Sequence, residues 1–345
     1  YRELLKGLQQ RGLEPMVTLH HFSNPLWLEQ QGGWLTQDTR AHFVRYVERV
    51  VKALGDQVTL WCTLNEPNVY AVMGYLYGTF PPGRRDFGAT RVVLKALLGA
   101  HAEAYRTIHR LQPNARVGLA HNLRFFDPAN PHSFLDRLVA KILDRGFNRS
   151  VLDAVWKGRW VLPIGFGPAW SLRHTLDWIG LNYYTRDLVA FDSGAKEALF
   201  SRTLHAPDAE LLDGGYGELY PEGLRRAIKR LWQMRLPIYI TENGIPDSDD
   251  DQRPAALLLH LHQLWKILQN NIPVQGYYHW TLVDNFEWAE GWTLRFGLIE
   301  MDPATGVRTP RPSADLYTAI ARGNALTPAL IDAYAPQLRP VLLPE

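Results

Sequence analysis

The sequence predicts an α/β fold in which parallel strands alternate with helices. Strand patterns and amphipathic helix patterns follow one another in six strand-helix units, and parallel strands need crossover connections of this kind. Polar side chains come directly after the strands, as at Glu66 and Glu242. A (β/α)8 TIM barrel builds its active face from the loops after its strands, so the two observations together favour that barrel. The alternative is a doubly wound sheet, but the only glycine pattern that suggests a phosphate loop is Gly165-Phe166-Gly167, so no nucleotide site is expected.

Each element rests on the spacing of its apolar residues. Alternating or continuous short apolar runs predict strands, and apolar residues three or four apart predict helices. The predicted strands are residues 14–22, 57–63, 116–122, 177–184, 237–244 and 274–280. The predicted helices are residues 1–11, 43–54, 90–111, 222–235, 254–270 and 313–322. Residues 123–176 are expected to form a partly helical insertion, and residues 185–220 a long loop with a hairpin.

Composition narrows the kinds of partner. The 345 residues are 46% hydrophobic and 21% charged, which allows a large core, and the formal charge of +2 argues against nucleic acid or an anionic membrane as a partner. The single cysteine, Cys62, excludes an internal disulfide and suits a reducing, cytoplasmic location. The chain has 12 Trp, 15 Tyr and 13 Phe, enough aromatic rings to fill a core and also line a pocket for a flat ligand such as a sugar ring.

Two glutamates mark the expected site of chemistry. The apolar run 60–64 ends at Asn65-Glu66-Pro67, where the proline disfavours helical geometry at Glu66 and forces the strand to stop. The predicted strand 237–244 likewise ends near Glu242. Cleavage of a sugar bond needs such a pair: one carboxyl group protonates the leaving group, while the other attacks or stabilises the cationic sugar.

Three motifs resemble the signatures of family 1 glycoside hydrolases, the β-glucosidase family. They are Thr63-Leu64-Asn65-Glu66-Pro67, Ile240-Thr241-Glu242-Asn243-Gly244 and His279-Trp280-Thr281-Leu282-Val283-Asp284-Asn285-Phe286-Glu287-Trp288, and they occur in the family order. Weaker matches lie before, between and after them at residues 19–22, 180–184 and 295–297. The resemblance covers essentially the whole chain and implies one glycosidase catalytic domain over residues 1–345.

The resemblance also implies roles for individual residues. Glu66 would be the acid/base and Glu242 the nucleophile of a retaining double displacement. Asn65 would donate to the sugar 2-hydroxyl, and Tyr184 would hydrogen-bond the nucleophile and keep it ionised. The residues expected to bind the terminal sugar are His21, Trp280, Glu287, Trp288 and Phe296.

The implied substrate is a small-molecule β-glycoside, cleaved without a cofactor. The protein is expected to hydrolyse terminal β-D-glucosyl residues from oligosaccharides or from aryl and alkyl glycosides. Whether galactosyl, fucosyl or mannosyl residues are preferred is left open, as are the aglycone and the oligomeric state. Glu287 would repel a 6-phosphate, and Glu66 is an acid where the thioglucoside-cleaving branch has glutamine. Two alternatives remain: a catalytically silent sugar-binding or remnant protein, and an inverting hydrolase.

No metal site is expected. Asp247-Ser248-Asp249-Asp250-Asp251 lacks the glycine and the final glutamate of a calcium loop, so it is expected to be a solvated acidic loop that caps the following helix. His260 and His262 are two residues apart on a predicted helix and face different ways. The resemblance implies two further strands before residue 14, with a sugar-binding glutamine and an arginine that have no counterpart here, so an N-terminally incomplete barrel with two open edges is expected.

Overall fold

The computed structural model describes residues 1–343. Its strands are β1 Met16–Thr18, β2 Leu60–Asn65, β3 Arg116–Asn122, β4 Phe125–Pro128, β5 Arg159–Trp160, β6 Gly167–Pro168, β7 Trp178–Tyr183, β8 Arg186–Phe191, β9 Ser201–Leu204, β10 Ile238–Asn243, β11 Val274–His279, β12 Ile299–Met301 and β13 Arg308–Pro310. Its α-helices are α1 Arg2–Gln10, α2 Leu26–Gln30, α3 Gln37–Leu54, α4 Pro67–Ala71, α5 Phe87–Leu111, α6 Phe134–Asp144, α7 Ser150–Lys157, α8 Glu222–Leu231, α9 Arg253–Leu268, α10 Pro312–Gly323, α11 Pro328–Tyr334 and α12 Arg339–Leu342.

The principal sheet follows the order of the chain. Its strands are β1, β2, β3, β7, β10 and β11, each beside the next. The pairs β1–β2, β2–β3 and β10–β11 are parallel, with Met16 opposite Leu60 and Leu60 opposite Arg116. Parallel neighbours in sequence order, joined through helices, have the connectivity of a (β/α)8 barrel, and this confirms the predicted fold class. The described residues supply six strands of this sheet, the number predicted from the sequence.

The first of two compact units comprises Tyr1–Asn122, Lys141–Gly180 and Met234–Pro237. The strand β2 is buried along its whole length, and the helices α3 and α5 pack together. Close packing allows no side chain at Gly118, since a Cβ there would lie 2.4 Å from the Trp178 ring. The side chain of His101 on α5 lies 2.7 Å from the Thr63 hydroxyl of β2, so this buried imidazole is hydrogen-bonded.

The second unit comprises Leu123–Ala140, Leu181–Gln233 and the chain from Ile238 onward. Buried apolar residues lie on the end of β7, on β10 and on the helices α8 and α9, which pack against each other. Gly223 at the start of α8 has no room for a side chain, because a Cβ would lie 1.8 Å from the Tyr183 hydroxyl. Asp284 pairs with Arg311 at 3.1 Å, so these buried charges are matched.

The observed elements differ from the predicted ones mainly at their ends. The first strand is shorter than predicted, because the chain turns after Leu19 and Phe22 adopts a left-handed φ of 68°. The predicted hairpin after residue 185 is present as β8 and β9, which pair antiparallel. The sequence patterns missed the hairpin of β12 and β13 and the short helices α2, α4, α11 and α12.

Within residues 1–343, none of the helices combines the length and hydropathy of a membrane span.

Candidate active site

Glu66 lies where β2 ends and α4 begins. Its backbone is left-handed, with φ 45° and ψ 59°, and Pro67 is the first residue of the helix. Its amide donates to the carbonyl of Ala120 on β3 at 2.9 Å, which fixes the turn against the neighbouring strand. A left-handed conformation at a residue other than glycine costs about 1–3 kcal/mol and is retained where the surroundings demand it. The turn at Glu66 predicted from the proline is confirmed.

The Glu66 carboxylate accepts a hydrogen bond from a residue that the sequence analysis did not select. The Asn122 side chain, at the end of β3, donates from Nδ2 to Glu66 Oε1 at 2.9 Å. Asn68, in the first turn of α4, donates in turn to the Asn122 carbonyl at 2.9 Å. Only 6% of Glu66 is exposed, so the Asn122 amide takes the place of water at this carboxylate oxygen, and Asn68 supports Asn122 from behind. The signal that could have identified Asn122 was its position as the last residue of a strand.

Asn65 and His21 are in contact beside Glu66 in the first unit. The Asn65 amide donates from Nδ2 to His21 Nε2 at 3.0 Å. Burial, with a smaller contribution from His20, lowers the pKa of His21 to about 4. The ring is therefore neutral near pH 7 and can accept this bond, which orients the Asn65 amide.

Glu242 lies in the second unit, one residue before the end of β10. It is buried, with 7% exposed. The Tyr184 hydroxyl, just past the end of β7, donates to Glu242 Oε2. A hydrogen bond to the ionised form of a buried carboxylate favours that form, as the predicted role of Tyr184 requires.

Aromatic rings surround Tyr184. The Phe296 ring lies 6.1 Å from the Tyr184 ring, edge to face, and the Tyr216 ring lies 5.9 Å from it. Trp280 packs on the same cluster, and its amide donates to the Asn243 carbonyl at 3.0 Å. Two of the predicted sugar-binding residues, Trp280 and Phe296, thus lie beside the tyrosine that contacts Glu242. Tyr216 belongs to this wall and was not predicted.

Glu287 and Trp288, two more of the five predicted sugar-binding residues, also lie in the loop between β11 and β12. The amide of Glu287 donates to the Gly291 carbonyl at 2.7 Å, and Trp288 opens a short 3-10 turn with a left-handed φ of 46°. The structure therefore groups His21, Asn65 and Glu66 in the first unit. It groups Tyr184, Glu242, Trp280 and Phe296 in the second unit, where Glu287 and Trp288 lie in the same connection between β11 and β12 as Trp280 and Phe296.

The acidic loop before α9 serves the helix. Asp247 is buried, where a solvated loop was predicted, and it accepts from the amides of Gln252 at 3.0 Å and Arg253 at 2.6 Å, the residues at which that helix begins. Asp249 and Asp251 lie near enough for the three carboxylates to share a cation, but both are exposed. The contacts of Asp247 agree with the predicted capping function.

The barrel connectivity and the buried carboxylates at strand ends define the class of protein, an O-glycosyl hydrolase on a TIM-barrel fold. The family model for Glycosyl hydrolase family 1 matches residues 1–326. The chain belongs to that family.

Named relatives and solved structures agree with this assignment. The chain is 32% identical to "Beta-glucosidase A" of Thermotoga maritima over 350 residues, covering 94% of this chain and 77% of that protein. It is also 32% identical to "Beta-glucosidase" of Agrobacterium sp., covering 94% and 75%. The structure of a β-glycosidase from Pyrococcus horikoshii superposes with a TM-score of 0.88 at 37% identity, covering 97% of this chain and 77% of that one. A β-glucosidase from T. maritima in complex with glucoimidazole gives 0.88 at 30%, covering 95% and 78%.

Proposed function

We propose that the protein is a retaining β-glycosidase that removes terminal β-D-glucosyl residues by double displacement. The observation that carries the proposal is the hydrogen bond from Tyr184 to the buried carboxylate of Glu242 at the end of β10. A nucleophile has to be ionised before substrate binds, and a buried carboxylate stays ionised only when donors face it.

In the first step, a Glu242 oxygen attacks the anomeric carbon and the glycosidic bond breaks. Glu66 donates its proton to the departing oxygen, so the aglycone leaves as a neutral alcohol. In the second step, Glu66 takes a proton from water, the water oxygen attacks the anomeric carbon, and the bond to Glu242 breaks. The sugar is released with the configuration it had in the substrate.

Three neutral side chains support binding of the sugar. Asn65, oriented by His21, would donate to the 2-hydroxyl, where contacts tighten as the transition state forms. Trp280 and Phe296 present ring surface beside Tyr184. Glu287 would accept sugar hydroxyls and repel a phosphorylated sugar, so we propose an unphosphorylated glycone. The substrates named for the relatives include glucosides and galactosides, and we propose glucosides first and galactosides second.

The test measures hydrolysis of an aryl β-D-glucoside by the wild type, Glu242→Gln and Glu66→Gln. We expect the wild-type rate to exceed that of Glu242→Gln by several orders of magnitude, because the first step loses its nucleophile. Negligible and equal rates for the wild type and Glu242→Gln would instead favour a silent sugar-binding protein. Proton NMR of the first product distinguishes the two hydrolytic outcomes: β-glucose is expected, and initial α-glucose would show inversion.

A further inference from the structure

Asn243, the residue after Glu242, joins three strands through its side chain. Only 1% of it is exposed. Its Nδ2 donates to the backbone carbonyl of Tyr183 on β7 at 2.8 Å, and its Oδ1 accepts from the Tyr277 hydroxyl on β11 at 2.8 Å. The orientation of the amide is fixed, because the reverse orientation would place Oδ1 against the Tyr183 carbonyl oxygen.

These contacts close a ring of covalent and hydrogen bonds around Glu242. The Tyr183 carbonyl belongs to the peptide group that leads into Tyr184, and the Tyr184 hydroxyl donates to Glu242. Glu242 is itself bonded to Asn243 through the backbone. A shift of the Asn243 side chain would therefore move the Tyr183–Tyr184 peptide, and with it the donor on which Glu242 depends.

We propose that Asn243 and Tyr277 are positioning residues that hold the Tyr184 hydroxyl against the nucleophile Glu242. The inference rests on the proposed function of Glu242 and names two residues that serve it without touching the reacting atoms. Neither Asn243 nor Tyr277 contacts Glu242 through a side-chain hydrogen bond among those described for residues 1–343.

Tyr277 is suited to this role by its surroundings. Burial raises the pKa of its hydroxyl well above the usual value, so the group remains protonated and can donate. The same hydroxyl lies 3.4 Å from the Asn243 carbonyl oxygen, a second and weaker acceptor. The Tyr317 ring packs 6.4 Å from the Tyr277 ring, and the Tyr317 hydroxyl donates to the Tyr277 carbonyl at 3.3 Å. Tyr317 thus supports Tyr277, and among the hydrogen bonds described for residues 1–343 it makes none to the Asn243 side chain.

The experiment compares Tyr277→Phe with its matched control Tyr317→Phe, since each removes one hydroxyl from the same pair of packed tyrosine rings. For Tyr277→Phe we expect kcat/KM on an aryl glucoside to fall roughly three- to tenfold, the effect of losing one hydrogen bond. The acid limb of its pH profile should move to higher pH, because Glu242 loses a well-placed donor and becomes easier to protonate. Tyr317→Phe should leave the acid limb in place, although it can lower the Tm as much as Tyr277→Phe does.

A double-mutant cycle tests whether Tyr277 acts through Tyr184. If it does, Tyr184→Phe/Tyr277→Phe will be within about twofold of Tyr184→Phe alone, because there is no hydroxyl left to position. Multiplication of the two single effects, or an unchanged acid limb in Tyr277→Phe, would overturn the inference.

A readout without turnover separates this inference from the proposed function. The protein is labelled with [δ-13C]glutamate, and the Glu242 signal is the one absent from Glu242→Gln. Its titration midpoint is expected to rise in Tyr277→Phe and in Asn243→Ala, and to stay constant in Tyr317→Phe. An unchanged midpoint in Tyr277→Phe would refute the positioning role. A raised midpoint in a chain that hydrolyses no glycoside would leave the positioning role standing and remove the proposed activity.

Discussion

Replacing Asn122 with alanine should change how readily Glu66 holds its proton. Asn122 donates to Glu66 Oε1 at 2.9 Å, and this bond is stronger when the carboxyl group is ionised. Removal of the amide therefore disfavours the ionised form and raises the pKa of Glu66. Because Glu66 must be protonated to assist departure of the aglycone, the basic limb of kcat/KM should move to higher pH.

The size of the shift follows from the geometry. A hydrogen bond to a charged group contributes about 1.5–3 kcal/mol, and one pKa unit corresponds to about 1.4 kcal/mol. With only 6% of Glu66 exposed, little water can replace the lost amide. The expected displacement of the basic limb is therefore about one to two units.

The assay is the pH dependence of kcat/KM on an aryl glucoside with a poor leaving group, between about pH 5 and about pH 9. Asn68→Ala is the matched control, because the one hydrogen bond described within residues 1–343 for its side chain goes to the backbone carbonyl of Asn122, at 2.9 Å. It should cost stability and leave the basic limb nearly unchanged. A basic limb that stays in place in Asn122→Ala, or one that moves equally in both variants, would refute the reasoning.

Three further predictions concern catalysis, acid stability and packing. Glu66→Gln should lower kcat/KM for an alkyl glucoside far more than kcat/KM for a dinitrophenyl glucoside, whose aglycone needs no proton to depart; equal losses of kcat/KM for the two substrates would contradict an acid role. Burial lowers the pKa of His101 to about 3, below its unfolded value of 6.5. The neutral ring therefore contributes fully to the free energy of unfolding above pH 6.5, and this contribution is lost as the pH falls. At about pH 5 the loss is about 2 kcal/mol. His101→Asn should accordingly flatten the dependence of Tm on pH between about 6.5 and 4 in calorimetry, and an unchanged slope would count against it. Gly118→Ala places a Cβ 2.4 Å from the Trp178 ring and should cost at least about 1–3 kcal/mol in urea unfolding, whereas Gly323→Ala meets no atom within 4 Å and should cost little; similar midpoints would refute the packing argument.

The sequence predicts the acidic residues of the site better than the amides around them. Glu66 and Glu242 stand out because a charge after an apolar run is costly without a partner or a task. Asn122 and Asn243 carry no charge, and asparagine after a strand is also an ordinary turn residue, so local pattern does not separate the two roles. Their contacts join strands that are far apart in sequence, and only the fold brings those strands together.

Element ends were harder to predict than element types. The strand β1 was predicted to be longer because residues 19–22 remain apolar or aromatic, yet Phe22 adopts a left-handed φ that only the surrounding structure imposes. The hairpin of β12 and β13 has three-residue strands, too short for a period of two to be recognised. In contrast, the long helices α3 and α5 have many turns of regular apolar spacing, and their existence was predicted correctly.

The most direct test of the retaining mechanism is capture of its covalent intermediate. The protein is incubated with a 2-deoxy-2-fluoro-β-glucoside that carries an activated leaving group, which slows both steps but lets the first outrun the second. After proteolysis, mass spectrometry is expected to find one fluoroglucosyl group on Glu242, with none in Glu242→Gln. Turnover of glucosides without any labelled peptide, or a label on a different carboxylate, would contradict the assignment of Glu242 as the nucleophile.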